Sequence, residues 1–211
     1  MNINKFKSFA RRAFALLLVL FCLCSMFACK SKNEDNGKSR ILAYDGVSVE
    51  EYVRIGEYKG LTVTVLEGQT KAEAVWNAVT SDCEVLGYPE EQVDYYYSQS
   101  KKRCEYYATV NGVSYEEALA ALHTDEETML NEARELVAQD LIELALRKSA
   151  GITLTDEEKE KYFDKYAEKY ADDWGYNRTY VENELSDEVY ASMLYDKTTE
   201  YLLKNNTFAE Q

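Results

Sequence analysis

The chain has 211 residues, of which 38 are acidic and 24 basic, for a formal net charge of −14. So acidic a surface repels nucleic acid, which is bound by basic stripes, and no glycine-rich phosphate loop is present to hold a nucleotide. There is one histidine, His123. A Ser-His or Cys-His pair or a histidine–cysteine zinc site would have to be built on it without supporting groups, so no catalytic residue, metal site or cofactor is expected.

The first twelve residues carry Lys5, Lys7, Arg11 and Arg12 and no acid, and an uncharged run from Ala13 to Ala28 follows. A basic start and a short apolar core make a secretory signal. Sixteen residues are short for a membrane-spanning helix, which needs about twenty. The run ends Met26-Phe27-Ala28-Cys29, which resembles the bacterial lipobox, although Phe27 is bulkier than the usual small residue. The resemblance implies cleavage after residue 28 and a membrane anchor of at least two acyl chains, palmitate-like, on Cys29 at the extracytoplasmic face. One chain alone binds membranes only marginally. The mature chain would keep 20 basic and 38 acidic residues, a net charge of about −18, and the lipid would have to hold it against anionic headgroups.

Residues 29–43 contain little to bury and read as a flexible tether. Residues 44–70 hold one strand signal, the alternation Leu61-Thr62-Val63-Thr64-Val65. A lone strand is not stable, and a partner is expected around Ile41 to Tyr44. Residues 71–206 read as a helical domain. Proline occurs once, at Pro89, and its scarcity favours long helices. Five capping-box spacings mark helix starts: Thr70/Glu73, Ser114/Glu117, Thr124/Glu127, Thr155/Glu158 and Thr179/Glu182. The spacing predicts helices over 71–82, 89–110, 114–121, 125–149, 156–172, 178–185 and 187–204, with Gly151 and Gly175 at helix ends. The fold class is therefore all-α, with protruding helical arms and a short β element near 61–65.

Two helices have informative faces. Val93, Tyr97, Ser100, Cys104 and Tyr107 form a narrow seam, so the 89–110 helix should lie along another as an arm. Met129, Leu130, Ala133, Leu136, Val137, Leu141 and Leu144 form a wide apolar stripe, that of a core helix. Cys83 and Cys104 would lie roughly 22 Å apart along the helix axis, too far for a disulfide. The stretch 173–184 has acids at both ends of a calcium-loop spacing, but Arg178 stands where the loop needs glycine. The eighteen tyrosines admit two readings. They pack helix faces with their hydroxyls wet, or they form an adhesive surface for other polypeptides, with large contact area at low entropic cost. Candidate polypeptide-binding residues are Tyr95, Tyr96, Tyr97 and Tyr107 on the arm, and the row Tyr162, Tyr166 and Tyr170.

Residues 57–65, EYKGLTVTV, resemble the D-Y-K-G-L-x-V stretch that precedes the prolyl isomerase domain of trigger factor. Residues 75–93, VWNAVTSDCEVLGYPEEQV, look like the helix, linker and P-E-x-x-V start that follow that domain. The order continues through NGVSYEEAL, the stripe helix, GITLTDEE and a last helix ending YLLKN, so the resemblance covers roughly 57–204. Fewer than twenty-five residues separate Leu66 from Tyr88, where an isomerase domain needs on the order of a hundred. The resemblance thus implies the C-terminal chaperone region of trigger factor without its isomerase, and with the signal and tether in place of the ribosome-binding domain. Parvulin-type foldases of the cell envelope share a similar helical domain. The implied function is a non-enzymatic, membrane-anchored chaperone-like lipoprotein whose partners are unfolded or nascent exported polypeptides, with no nucleotide or nucleic acid. The alternative is a scaffold or assembly lipoprotein that binds one folded envelope partner through the arm.

Cys29→Ser should abolish incorporation of labelled fatty acid and move the protein out of the detergent phase. Unchanged labelling would disprove the anchor.

Overall fold

The computed structural model describes Tyr44 and residues 46–210. The expected signal, Cys29 and the expected tether lie outside the described residues. The fold is mostly helical, with two small two-stranded sheets. After a 3-10 turn at Val49–Glu51 come β1 (Val53–Arg54), β2 (Thr62–Val65), α1 (Lys71–Ser81) and β3 (Glu84–Val85). Then follow α2 (Glu90–Asn111), α3 (Tyr115–Ala121), α4 (Glu126–Ala150), α5 (Asp156–Trp174), α6 (Arg178–Glu184), α7 (Ser186–Asn205) and β4 (Thr207–Glu210).

Local chemistry explains where the helices start and stop. Thr70, Ser114 and Thr155 each close a complete capping box with Glu73, Glu117 and Glu158. The boxes expected at Thr124 and Thr179 do not form. Asp125 caps α4 by accepting from the Thr128 amide at 2.7 Å, and Asn177 caps α6 by accepting from the Tyr180 amide at 2.9 Å. Asp and Asn are better N-caps than Thr; Asp125 lies one residue after the predicted cap and Asn177 two residues before it. Gly112, Gly151 and Gly175 end α2, α4 and α5 in the left-handed region, at φ near 65–70°. A side chain is strained there.

β2 has a partner that the sequence did not announce. Among the described residues β2 pairs in parallel with β4, in the register Thr62↔Thr207 to Val65↔Glu210; of the expected partner around Ile41 to Tyr44, residues 41–43 lie outside the described residues. Parallel pairing needs a crossover connection, and here the whole helical body supplies it. Asn206 locks the junction: its Oδ1 accepts from the Leu61 amide at 2.8 Å, and its Nδ2 donates to the carbonyls of Tyr58 (3.1 Å) and Leu202 (2.8 Å). Val63 and Val65 face the core, and Thr62 and Thr64 face solvent. A second sheet, which the sequence did not announce, pairs β1 with β3 antiparallel.

Two cores result. The main one gathers Val75 and Val79 of α1, Val93 of α2, Val137, Leu141 and Leu146 of α4, Leu202 of α7, and the valines of β1 and β2. The second holds Leu154, Tyr166 and Tyr170, Val181 of α6, and Val189, Met193 and Leu194 of α7. Helix α7 thus runs through both. Trp76 ties it to α1, stacking on Tyr195 at 5.2 Å and donating its indole N–H to Thr199 at 2.9 Å.

The stripe read on α4 is the main core's helix, and the seam on α2 lies along it. The pair is antiparallel, with Cys104 3.8 Å from the Met129 sulfur near one end and Tyr96 donating to Asp140 nearer the other. Among the described residues, the main core takes nothing from α2 beyond Tyr97. The outer part is an arm sealed by three small side chains, Cys104, Ala108 and Ala118, packed around the large Met129, all buried. Cys83 and Cys104 are free thiols.

Leu141 is fully buried, so Leu141→Ala should cost about 2–5 kcal/mol of unfolding free energy. Val110→Ala, on the exposed arm, should change it by less than about 0.5 kcal/mol. Urea unfolding of a chain beginning at Lys30 compares the two.

Candidate functional site

Helix α2 has twenty-two residues and runs about 33 Å at 1.5 Å per residue. Pro89 opens it with a pre-set φ of −64°, and Glu90 and Glu91 fall in the first turn, where they complement the dipole. Its inner face, Val93, Tyr97, Cys104 and Ala108, packs inward. On the opposite face Tyr95, Gln99, Lys102, Tyr106 and Val110 recur three and four residues apart, which puts them in one row. Tyr106 is 51 % exposed and Val110 62 %, and the row continues into Val113 in the following turn. Leu86 and Tyr88, also exposed, precede the helix. Of the six large apolar side chains exposed among the described residues, five therefore lie on α2 or just beyond its ends, and Leu66 alone lies elsewhere. Tyr106, Val110 and Val113 group toward one end of α2, while Leu86 and Tyr88 precede the other end; grouped apolar surface is a candidate contact site in a way that scattered single residues are not. Acidic residues surround the tip: Glu116 and Glu117 open α3, and Asp125, Glu126 and Glu127 open α4. Backbone hydrogen bonds hold the Glu117 and Asp125 carboxyls below their ordinary range.

The structure divides the candidate tyrosines. Tyr95 and Tyr96 are half-buried and meet edge-on at 5.2 Å. Tyr96 is committed to α4 through Asp140. Tyr97 and Tyr107 lie on the seam, half-buried. Tyr162 is half-buried, with its hydroxyl 3.4 Å from Glu200. Burial and the nearby Glu200 and Asp196 carboxylates push it up to about 12. Tyr166 and Tyr170, each 7 % exposed, are corrected to core residues of the second cluster. Tyr166 donates to Asp196 at 3.0 Å, and burial first, then that carboxylate, raises its pKa. An i, i+4, i+8 row on a surface helix is the row such a helix buries. The sequence reading passed over Tyr106, Val110 and Val113. Their signal was their place off the seam, since an apolar residue there has no partner helix to meet.

The remaining charged clusters act as scaffolding. Lys197 donates to both carboxylate oxygens of Glu158 (2.6 and 2.7 Å) and to the Thr153 carbonyl (2.6 Å), pinning the start of α5 to α7. That bond pulls Glu158 down to about 2. Arg178 ties α6 to α5 through Glu160 and Asp164. Among the described residues no group of three or more His, Cys, Asp or Glu side chains gathers to hold a metal, and no helix is long and apolar enough to cross a membrane.

Burial pushes Glu135 on α4 up to about 7, with the Glu132 carboxylate adding to the rise. A carboxyl whose folded pKa is raised costs no stability below the unfolded value of 4.5. The cost grows as pH rises and is complete above about 7. Glu135→Gln should therefore stabilise the protein at pH 8, by about 1 kcal/mol once its partial exposure is allowed for, and leave it nearly unchanged at pH 4.5. Urea midpoints at the two pH values test the sign.

No known protein family, no curated protein and no solved structure matches this chain.

Proposed function

We propose that this chain is an exported, lipid-anchored protein that holds unfolded or newly exported polypeptides in a chaperone-like manner, without nucleotide and without enzymatic activity. The observation that carries the reading is the concentration of exposed Tyr106, Val110 and Val113 on a projecting arm, with Leu86 and Tyr88 at its base. The trigger-factor-like order of motifs from Tyr58 to Leu203 supports it, as does the lipobox-like end at Cys29. An unfolded segment laid along the outer face of α2 would cover tyrosine and valine surface and shed ordered water. It would also lose chain entropy on ordering, so binding is weak and release fast. Apolar contacts of this kind persist in moderate salt, because screening weakens only the charge term.

The chain from Lys30 onward should slow aggregation of several unrelated unfolded proteins at near-stoichiometric amounts. Tyr106→Ser combined with Val110→Ser should weaken protection roughly fivefold, about 1 kcal/mol of lost apolar contact, with the circular dichroism spectrum unchanged. Tyr166→Ser should instead lower the unfolding midpoint. If no client is protected and one folded partner is retained tightly, the scaffold reading replaces this one.

A further inference from the structure

The two cores meet on α7, and the stretch between them is unlike the rest of the helix. Met193, Leu194 and Tyr195 precede it and Tyr201, Leu202 and Leu203 follow it, but Asp196-Lys197-Thr198-Thr199-Glu200 is polar throughout. That is about 1.4 turns of helix without an apolar residue. Each of the five side chains makes directed bonds. Asp196 accepts from Lys165 and Tyr166 of α5, both at 3.0 Å, and Glu200 accepts from Tyr162 at 3.4 Å. Thr198, fully buried, donates to the Leu194 carbonyl at 2.7 Å, and Thr199 donates to that of Tyr195 at 2.8 Å. Hydroxyls that bond back to the fourth residue before them slightly destabilise a helix and tend to bend it. Lys197 holds both Glu158, at the start of α5, and the Thr153 carbonyl, in the link that follows α4 at Gly151. The two connections of the second core to the rest of the molecule, residues 151–155 and 196–200, therefore come together at one side chain.

We propose that α5, α6 and the first half of α7 swing as one unit about this joint, with Lys197 as the clasp that holds the unit in place. An apolar core resists parting, because opening it puts apolar surface into water. A polar joint opens differently. Its hydrogen bonds and ion pair are exchanged for bonds to water at small net cost, and both cores stay shut. The side chains of Lys197 and Glu158 are 27 % and 36 % exposed, so water already reaches the clasp. Val93 and Tyr97 fix α2 to the main core, so a swing of the unit changes its placement relative to the arm while the arm keeps its own direction. The hinge rests on the joint in α7 and not on what the arm binds.

The test attaches spin labels to the full chain at two exposed positions, through ketone-bearing amino acids that leave the native thiols alone. One label replaces Arg134 on α4, between the core residues Ala133 and Val137, and the other replaces Glu168 on α5. Two variants open the clasp from opposite sides. Glu158→Gln leaves a side chain that can still close the capping box with Thr155 but removes the charge that Lys197 holds, and Lys197→Met removes the other partner. In each variant the single narrow peak of label-to-label distances should give way to a broad or double one. Hydrogen exchange of the α5 and α6 amides should stay within about threefold of the parent chain, because their core remains shut. A distance peak as narrow in either variant as in the parent would overturn the hinge. So would broadening accompanied by lost protection of α5 and α6, since the second core would then be unfolding rather than moving.

Discussion

One carboxamide joins segments 145 residues apart in the chain. Asn206 is buried and bonds to Leu61, Tyr58 and Leu202 at once. Closing a loop of that length costs on the order of 4 kcal/mol of chain entropy, plus a constant. The return is the seating of Val63 and Val65 over the main core, with Phe208 packed beside them. The side chain also satisfies backbone groups that the short parallel ladder would leave unpaired inside the protein. The Gly60 amide, bonded to the Asn205 carbonyl at 2.8 Å, extends the same junction. Without it, β2 would be an isolated strand and the first core would lose one wall.

The arm is built on a different balance. Near its base α2 shares the main core through Val93 and Tyr97, so its direction is fixed by large side chains. Farther out only Cys104, Ala108, Ala118 and Met129 are buried. Cys104, Ala108 and Ala118 let α3 and α4 approach α2 closely but contribute little burial energy, and Met129 is the one large side chain among them. The tip is therefore held by close contact and by the caps at Ser114 and Asp125 rather than by a core of its own. A lightly held tip whose outward face is apolar suits brief contacts with partners of varied shape.

Much of this was legible in the sequence. The seven helices came from apolar periodicity, from Gly151 and Gly175, and from capping residues that each act locally. Periodicity also distinguished the seam on α2 from the broad stripe on α4. The failures share one cause, since they turn on partners far away in the chain. Thr207-Phe208-Ala209-Glu210 is too short a run to announce a strand, and nothing near it in sequence shows that β2 is its partner. Thr124 and Thr179 satisfy the capping spacing but lose to Asp125 and Asn177, because two caps one or two positions apart compete for one set of amides. Tyr166 and Tyr170 were legible as a row. Whether that row faces water depends on Val181 and Met193, which pack the same cluster from α6 and α7. The outward face of α2 was visible only as what remained once the seam had been assigned.

Helix α7 contributes Met193 to one core and Leu202 to the other, and β4 follows it at once. A chain is made, and passes through any membrane channel, from its N-terminus onward. Until residues 202–210 are free, β2 has no partner and the wall at Leu202 is open. Contacts of such long sequence separation are slow to form. The first half of the molecule, with its valines and the arm, must therefore wait in water with its core uncovered. During its own synthesis this protein is an unfolded polypeptide of the kind it is proposed to hold.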